Sequence, residues 1–218
     1  MGGSLKIRNR EQSRGEELAN SISHGTGLVA VIGATPYLVL HAIRSGDMEI
    51  VVGVSIFAAS LVLLYLTSTL YHALPTGKLK RVIKIIEHSA IFLLIAGTYT
   101  PFTLGVLRGV WGWTVFWSIW GLAVVGIVLK VFNRLFHPIV STGLYLIMGW
   151  LILIAVNPLA SRVPAPGLLW LSAGGAAYTI GVVFFAAESR LKYGHFIWHL
   201  FVMAGSACHF CAVLWYAS

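Results

Sequence analysis

Residues 50–74 read IVVGVSIFAASLVLLYLTSTLYHAL and contain no lysine, arginine, aspartate or glutamate. A helix needs about 20 mostly apolar residues to cross the hydrocarbon core of a bilayer, and this segment exceeds that length. A helix also pairs its backbone polar groups internally, as a chain surrounded by hydrocarbon must do. The segment therefore predicts a transmembrane helix.

Comparable apolar segments fill most of the remaining chain. Of the 218 residues, 58% are hydrophobic and 10% are charged, whereas soluble domains average about 25% charged residues. Besides residues 50–74, the predicted transmembrane segments are 18–43, 82–107, 111–132, 138–158, 167–188 and 195–216. We therefore predict an all-α integral membrane protein, a seven-transmembrane-helix bundle with a polar tail at 1–17 and a single helical domain at 18–218.

Lysine and arginine are distributed unevenly between the two predicted sides of the membrane. Three of them, Arg44, Arg108 and Arg162, lie on one side. Twelve lie on the other: Lys6, Arg8, Arg10, Arg14, Lys78, Lys80, Arg81, Lys84, Lys130, Arg134, Arg190 and Lys192. Cytoplasmic connections carry the excess of these residues, so we expect a cytoplasmic N-terminus and a C-terminus outside. The net charge of +8 then reflects membrane topology, and no nucleic-acid partner is expected.

Polar and ionisable side chains inside the predicted segments or directly at their ends form four groups. An ionisable residue in hydrocarbon is costly unless a partner or a water-filled cavity stabilises it, so each group is a candidate functional site. All lie at predicted cytoplasmic helix ends: Glu17, Asn20 and His24; Ser68 and His72; Glu87, His88 and Ser89; His195 and His199. Because the topology brings these ends to one side, we predict one shared site.

The spacing of two histidines indicates a metal site. His195 and His199 are four residues apart, which places both rings on one face of a helix. Two such imidazoles can bind one metal, and a catalytic zinc site takes three protein ligands and leaves one position for water. His72 is the best candidate for the third ligand. We predict bound Zn2+, although the affinity order of divalent metals alone would favour copper.

Glu87 and Ser68 are the candidate catalytic residues. A carboxylate near the ion would offset its charge and could accept a proton from a bound water, and Glu87 is placed for both roles. Ser68 lies one turn before His72 and could hydrogen-bond that water or a substrate oxygen. The residues expected to surround and orient the ligands are Glu17, Asn20 and His24.

Each of these residues also has a simpler interpretation. One pair of histidines four apart is weak evidence for a metal, and His72 could hydrogen-bond a neighbouring helix. Glu17 and Asn20 could form an ordinary helix start at the water interface. Glu188 is interpreted as a charge at a loop edge. The histidines interpreted as interfacial or packing residues are His41, His88, His137 and His209.

Four ordered motifs resemble those of a known family. They are Glu17-x2-Asn20-x3-His24, LTSTLYH ending at His72, EHSAIFLLIAGTYTPF from Glu87, and GHFIWHLFVMAGS from Gly194. Their order and their places at helix ends are similar to those of the bacterial hemolysin III family, which is related to the progestin and adipoQ receptors. The resemblance covers nearly the whole chain from Glu16 onward.

The resemblance implies a seven-helix protein of the bacterial inner (cytoplasmic) membrane with zinc bound by three histidines, which match His72, His195 and His199. It also implies an acidic residue, usually aspartate, that starts the third helix and holds the zinc-bound water. Glu87 occupies this position, and its extra methylene implies either an adjusted water geometry or direct contact with the metal. Ser68 matches the serine of the family before the second-helix histidine.

The wider superfamily also resembles alkaline ceramidases, which implies lipid amide hydrolysis. Our leading hypothesis is a zinc-dependent hydrolase that acts on a membrane lipid amide or ester. One alternative is a non-enzymatic regulator of membrane lipid or energetic homeostasis with a structural zinc site. A pore-forming cytolysin is disfavoured, because the chain has no long amphipathic segment able to move from water into lipid. The sequence leaves the lipid and the oligomeric state open.

Overall fold

The protein is a helical bundle in the computed structural model, which describes residues 10, 12–132 and 138–217, with the backbone alone at 138 and 139. Among these residues, seven spans are long and apolar enough to cross a membrane, which confirms the predicted fold. The helices are α1 (Arg14–Arg44), α2 (Met48–Ala73), α3 (Lys78–Leu104), α4 (Val110–Val131), α5 (Pro138–Gly149), α6 (Val156–Arg162), α7 (Ala165–Ala186) and α8 (Gly194–Tyr216). A 3-10 segment, Leu151–Ala155, joins α5 to α6 within the fifth span.

The first helix begins earlier than the predicted segment. The Ser13 hydroxyl accepts the Glu16 amide hydrogen at 3.4 Å and the Glu16 carboxylate accepts the Ser13 amide hydrogen at 2.9 Å. This reciprocal capping starts α1 at Arg14. The division into a tail at 1–17 and a domain at 18–218, and the cytoplasmic N-terminus, stay predictions. Residues of the sequence analysis outside the described part of the chain are Lys6, Arg8, Arg134 and His137.

The fifth predicted segment is not one continuous helix. Pro158 has no amide hydrogen and its ring clashes with the carbonyl one turn earlier, so an unbroken α-helix is disfavoured here. The Tyr99 hydroxyl of α3 donates to the carbonyls of Met148 at 2.8 Å and Gly149 at 2.7 Å. The same hydroxyl accepts the amide hydrogen of Ile152 at 3.0 Å. It thus satisfies backbone groups freed by the break, as an apolar environment requires.

The spans close into a ring. Helix α1 packs against α2 and α8, α2 against α3, α3 against α4, and α7 against α8. Helix α5 touches α3, α4 and α7 only lightly. This loose packing leaves space inside the bundle beside α5, and four of the residues predicted to form one site, His24, Glu87, His195 and His199, line that space.

Candidate metal centre

Three histidines meet at the end of the bundle where α2 ends and α8 begins. The ring nitrogens of His72, His195 and His199 that could bind a metal lie within 4.8 Å of one another. His72 is 4% exposed and His199 is 1% exposed, so water does not solvate these rings freely. The structure therefore brings the three predicted ligands into one cluster that could hold a metal ion.

In two of the three rings, Nδ1 is hydrogen-bonded to a carboxylate. His72 Nδ1–H donates to Glu17 Oε2 at 2.7 Å, and His195 Nδ1–H donates to Glu188 Oε2 at 2.5 Å. Because an ionised carboxylate only accepts, Nδ1 carries the proton in both rings and Nε2 keeps its lone pair. Both Nε2 atoms are buried and lack a hydrogen-bond partner among the described residues. A carboxylate behind the ring and a free nitrogen in front is the usual arrangement of a metal-binding histidine.

The third ring is fixed in the same tautomer by α1. His199 Nδ1 lies 3.2 Å from the Asn20 carbonyl oxygen and 3.1 Å from Ser23 Oγ. Ser23 donates its own hydrogen to the Asn20 carbonyl at 2.8 Å, so both oxygens accept from His199. The Asn20 side chain instead donates to Gln12 at 2.7 Å. Asn20 thus contacts a predicted metal ligand, His199, through its backbone carbonyl and not through its side chain.

His24 and Ser68 contact each other beside the cluster. The His24 ring stacks on the His199 ring with their centroids 3.5 Å apart, and His24 Nδ1 lies 2.7 Å from Ser68 Oγ. Ser68 is completely buried and is not among the residues that line the neighbouring cavity. A direct contact between Ser68 and a substrate or water stays a prediction; the partner found in the structure is His24.

A cavity of about 460 Å³ adjoins the histidines. Glu87, which is 8% exposed, lines this cavity together with His195 and His199. Among the described residues, the ionic partner of its carboxylate is His88 Nδ1 at 3.7 Å, so no tight ion pair holds Glu87. The deeper lining includes the aliphatic side chains of Ile91, Leu94, Ile95, Leu146, Val182 and Val202. The cavity therefore joins an acid–histidine end to an apolar interior.

Glu188 lies in the turn directly after α7, at the loop edge where the sequence analysis placed it, and its carboxylate also accepts a hydrogen bond from His195. A signal was present in the sequence: an acidic residue stands seven positions before a candidate ligand, across a short turn. That turn is anchored to α1, since the Tyr193 amide donates to Glu16 Oε1 at 2.8 Å. Arg10 donates to both oxygens of the same Glu16 carboxylate at 2.6 and 2.7 Å.

Two other histidines line the cavity. His88 and His209, interpreted from the sequence as interfacial or packing residues, are both among its lining residues. His88 Nδ1–H donates to the Lys84 carbonyl at 2.6 Å, and His209 Nδ1–H donates to the Gly205 carbonyl at 2.8 Å. His41, in contrast, is exposed near the far end of α1.

We predict that replacing Glu188 by alanine weakens the affinity of the three-histidine cluster for zinc, the metal expected there. Removing the hydrogen-bond partner of a metal-bound histidine typically costs about 10–100-fold in metal affinity, because the ring loses its fixed orientation. Competition against a chelator of known zinc affinity measures this change in purified protein. The matched control is Glu49→Ala, which removes a carboxylate that contacts Arg108 at 3.2 Å at the start of α2. Equal affinities of Glu188→Ala and the control would show that Glu188 does not orient His195.

Known proteins resemble this chain over nearly its whole length. The family described as haemolysin-III related matches residues 12–210, which include all three clustered histidines. Hemolysin-3 of Bacillus cereus is 46% identical over 201 residues, 92% of this chain and 91% of that protein. The hemolysin-3 homolog of Bacillus subtilis (strain 168) is 44% identical over 201 residues, 92% and 94% of the two chains. Monocyte to macrophage differentiation factor of Homo sapiens is 28% identical over 210 residues, 91% of this chain and 83% of that protein.

Proposed function

The chain belongs to the haemolysin-III-related family and is a multi-pass membrane protein, and from that premise we propose that it is a zinc-dependent hydrolase of membrane lipid amides or esters. The observation that carries the proposal is that Glu87, His195 and His199 line one cavity with an apolar interior, and that His72 completes the three-histidine cluster beside it. A lipid fits this arrangement, because its amide or ester linkage would lie at the acid–histidine end and its hydrocarbon chain in the apolar interior.

The residues present fit a bound metal. Two of the three rings present a buried Nε2 without a partner, and all three have Nδ1 fixed by hydrogen bonds. Among the described residues, the group within 4.8 Å contains three histidines and no fourth ligand. Three protein ligands are typical of catalytic zinc, whereas structural zinc usually has four, so this count favours the hydrolase over the structural alternative. A zinc ion held by these three histidines would act as a Lewis acid and would lower the pKa of a bound water.

Glu87 is the residue that moves protons in this proposal. Its carboxylate lines the cavity beside His195 and His199, where it can accept a proton from the attacking water and return it to the leaving group. Glu17 and Glu188 hold two ligand rings in place and offset the positive charge of the ion. Ser68 acts through His24, whose ring supports one face of His199.

The length and lining of the cavity favour an acyl chain as its occupant. Thr98 lines the inner part of the cavity, eleven residues beyond Glu87 on α3. At a rise of 1.5 Å per residue this path is about 16 Å long, enough for a medium-length extended acyl chain. Because α5 packs only lightly on its neighbours, the chain can enter sideways from the bilayer. The excess of lysine and arginine at this end supports a site at the cytoplasmic face of the cytoplasmic membrane.

A hydrolysis screen tests the proposal. Purified protein in a nonionic detergent is incubated with a panel of lipid amides and esters, and released fatty acid is measured by mass spectrometry. We expect release by the wild type and a fall to background in His72→Ala. Stoichiometric metal with no product from any lipid would reject the hydrolase and support the regulator with a structural metal. Lysis of liposomes by added protein would instead support the cytolysin.

A further inference from the structure

Two lysines line the cavity that Glu87 also lines. Lys84 lies one turn before Glu87 on α3, and Lys130 lies in the last turn of α4. Lys130 Nζ donates to the Ser141 hydroxyl of α5 at 3.4 Å. In the described part of the chain, neither ammonium group has a carboxylate within 4.0 Å. Two cations of the cavity therefore lack a close counter-ion.

The charges around these lysines do not cancel. The charged groups that act on half-buried Lys130 are Lys84, which repels it, and Glu87, which attracts it. Two ammonium groups and one carboxylate therefore leave one positive charge in excess around Lys130, because Glu188, the other carboxylate of the cavity lining, is hydrogen-bonded to His195. Lys84 is exposed, whereas half-buried Lys130 is partly desolvated, and such a charge is stabilised by an opposite charge and by direct hydrogen bonds. An anionic group bound here would supply both.

The order of side chains along α3 indicates which part of a ligand would lie at the lysines. Lys84, Glu87, Ile91 and Ile95 all line the cavity, and they change from basic to acidic to aliphatic along the helix. Lys84 is about 5 Å along the axis from Glu87, on the side away from the apolar interior. An acyl chain lying along Ile91 and Ile95 would place the reacting carbonyl near Glu87 and the headgroup at the lysines.

We propose that Lys84, Lys130 and Ser141 form a subsite for the acidic headgroup of an acyl lipid. The inference rests on the proposed function and names its substrate class: an acyl amide or ester whose leaving group carries a carboxylate or a phosphate. The two lysines bind the anion and the Ser141 hydroxyl adds a hydrogen bond. Lipids with a neutral headgroup of equal size bind more weakly, because they leave the two ammonium groups without a counter-ion.

The test compares two amides that differ only in charge. N-dodecanoylglycine has a carboxylate where N-dodecanoylglycinamide has a carboxamide, and native mass spectrometry of detergent-purified protein measures the binding of each. We expect the wild type to bind the acid about tenfold or more tightly, since hydrogen bonds to charged groups are the stronger ones. The double variant Lys84→Gln/Lys130→Gln should lose this preference while its affinity for the carboxamide stays the same. Lys84→Arg/Lys130→Arg should retain the preference.

The matched control removes the same charge outside the cavity. Lys78 and Arg81 are exposed at the start of α3, and Lys78→Gln/Arg81→Gln should keep the wild-type preference. Loss of preference in this control would overturn the subsite, because general surface charge would then explain the binding. N-acetylglycine that binds as tightly as the dodecanoyl acid would also overturn it, since a small anion would be the ligand.

Product analysis of the same samples separates the two proposals. A lysine-dependent preference for N-dodecanoylglycine without hydrolysis of either probe would leave the subsite standing and count against the hydrolase. Equal binding and equal hydrolysis of both probes would leave the hydrolase standing and remove the subsite.

Discussion

Wild-type protein purified in detergent should contain close to one zinc ion per chain, and the His195→Ala and His72→Ala variants should contain almost none. Either variant leaves two histidines of the cluster and also leaves a carboxylate, Glu188 or Glu17, without its ring partner. The loss should exceed the 10–100-fold weakening typical for removal of an outer hydrogen-bond partner. Elemental analysis of monodisperse samples measures the metal content.

The control for this experiment is His41→Ala. His41 is exposed near the end of α1 far from the cluster, so this variant should keep the full metal content. Stoichiometric copper in place of zinc would preserve the site and correct the identity of the metal. A well-folded wild type without stoichiometric metal would make the three histidines a packing cluster and remove the hydrolytic mechanism.

Glu87→Gln should lower lipid turnover by about 10²–10⁴-fold, the usual contribution of a general acid–base residue, while the protein keeps its metal. The substitution keeps the size of the side chain but removes its ability to accept a proton. Since Glu87 is not a member of the three-histidine group, its charge is not required to complete the ligand set. Turnover of the best lipid and metal content are measured on the same preparation.

Two further variants test whether the loss of turnover is specific to the carboxylate of Glu87. Glu49→Gln removes a carboxylate near the start of α2 and should leave turnover unchanged. Glu87→Asp keeps a carboxylate on a side chain one methylene shorter and should retain partial activity. Metal loss in Glu87→Gln would show that the carboxylate binds the ion directly, which favours a structural site. A fall of less than tenfold would exclude Glu87 as the base and make His88, which also lines the cavity, the next candidate.

Carboxylates at the candidate site also form hydrogen bonds between the ends of different helices. The Glu17 carboxylate of α1 accepts from His72 of α2 and from Lys80 of α3, at 2.7 and 2.8 Å. The Glu16 carboxylate joins α1 to the turn before α8 through the Tyr193 amide. Because these carboxylates join α1 to α2, to α3 and to the turn before α8, hydrogen bonds between helices hold the helix ends that carry the ligand rings. Such preorganisation is what a precise metal site needs.

The seven spans and the three histidines were predictable because both depend on local regularities. A span is set by the length of an apolar segment, and the facing of His195 and His199 is set by the helical repeat. Alternation of the chain across the membrane then brought His72 to the same end. The structure confirms the seven spans and brings the three predicted histidines into one cluster that could hold a metal, whereas their role as ligands stays a prediction.

The tertiary structure alone decided which groups pair across helices. Sequence spacing does not give the rotation of a helix about its axis or its depth relative to a neighbour. These two quantities place Glu17 of α1 against His72 of α2, and His24 of α1 against Ser68 of α2. The same quantities bring Lys84 and Lys130 to one cavity from two helices. The length of an apolar segment and the helical period depend only on residues that are close in sequence. Contacts between side chains of different helices depend on how the helices pack, which no single segment determines.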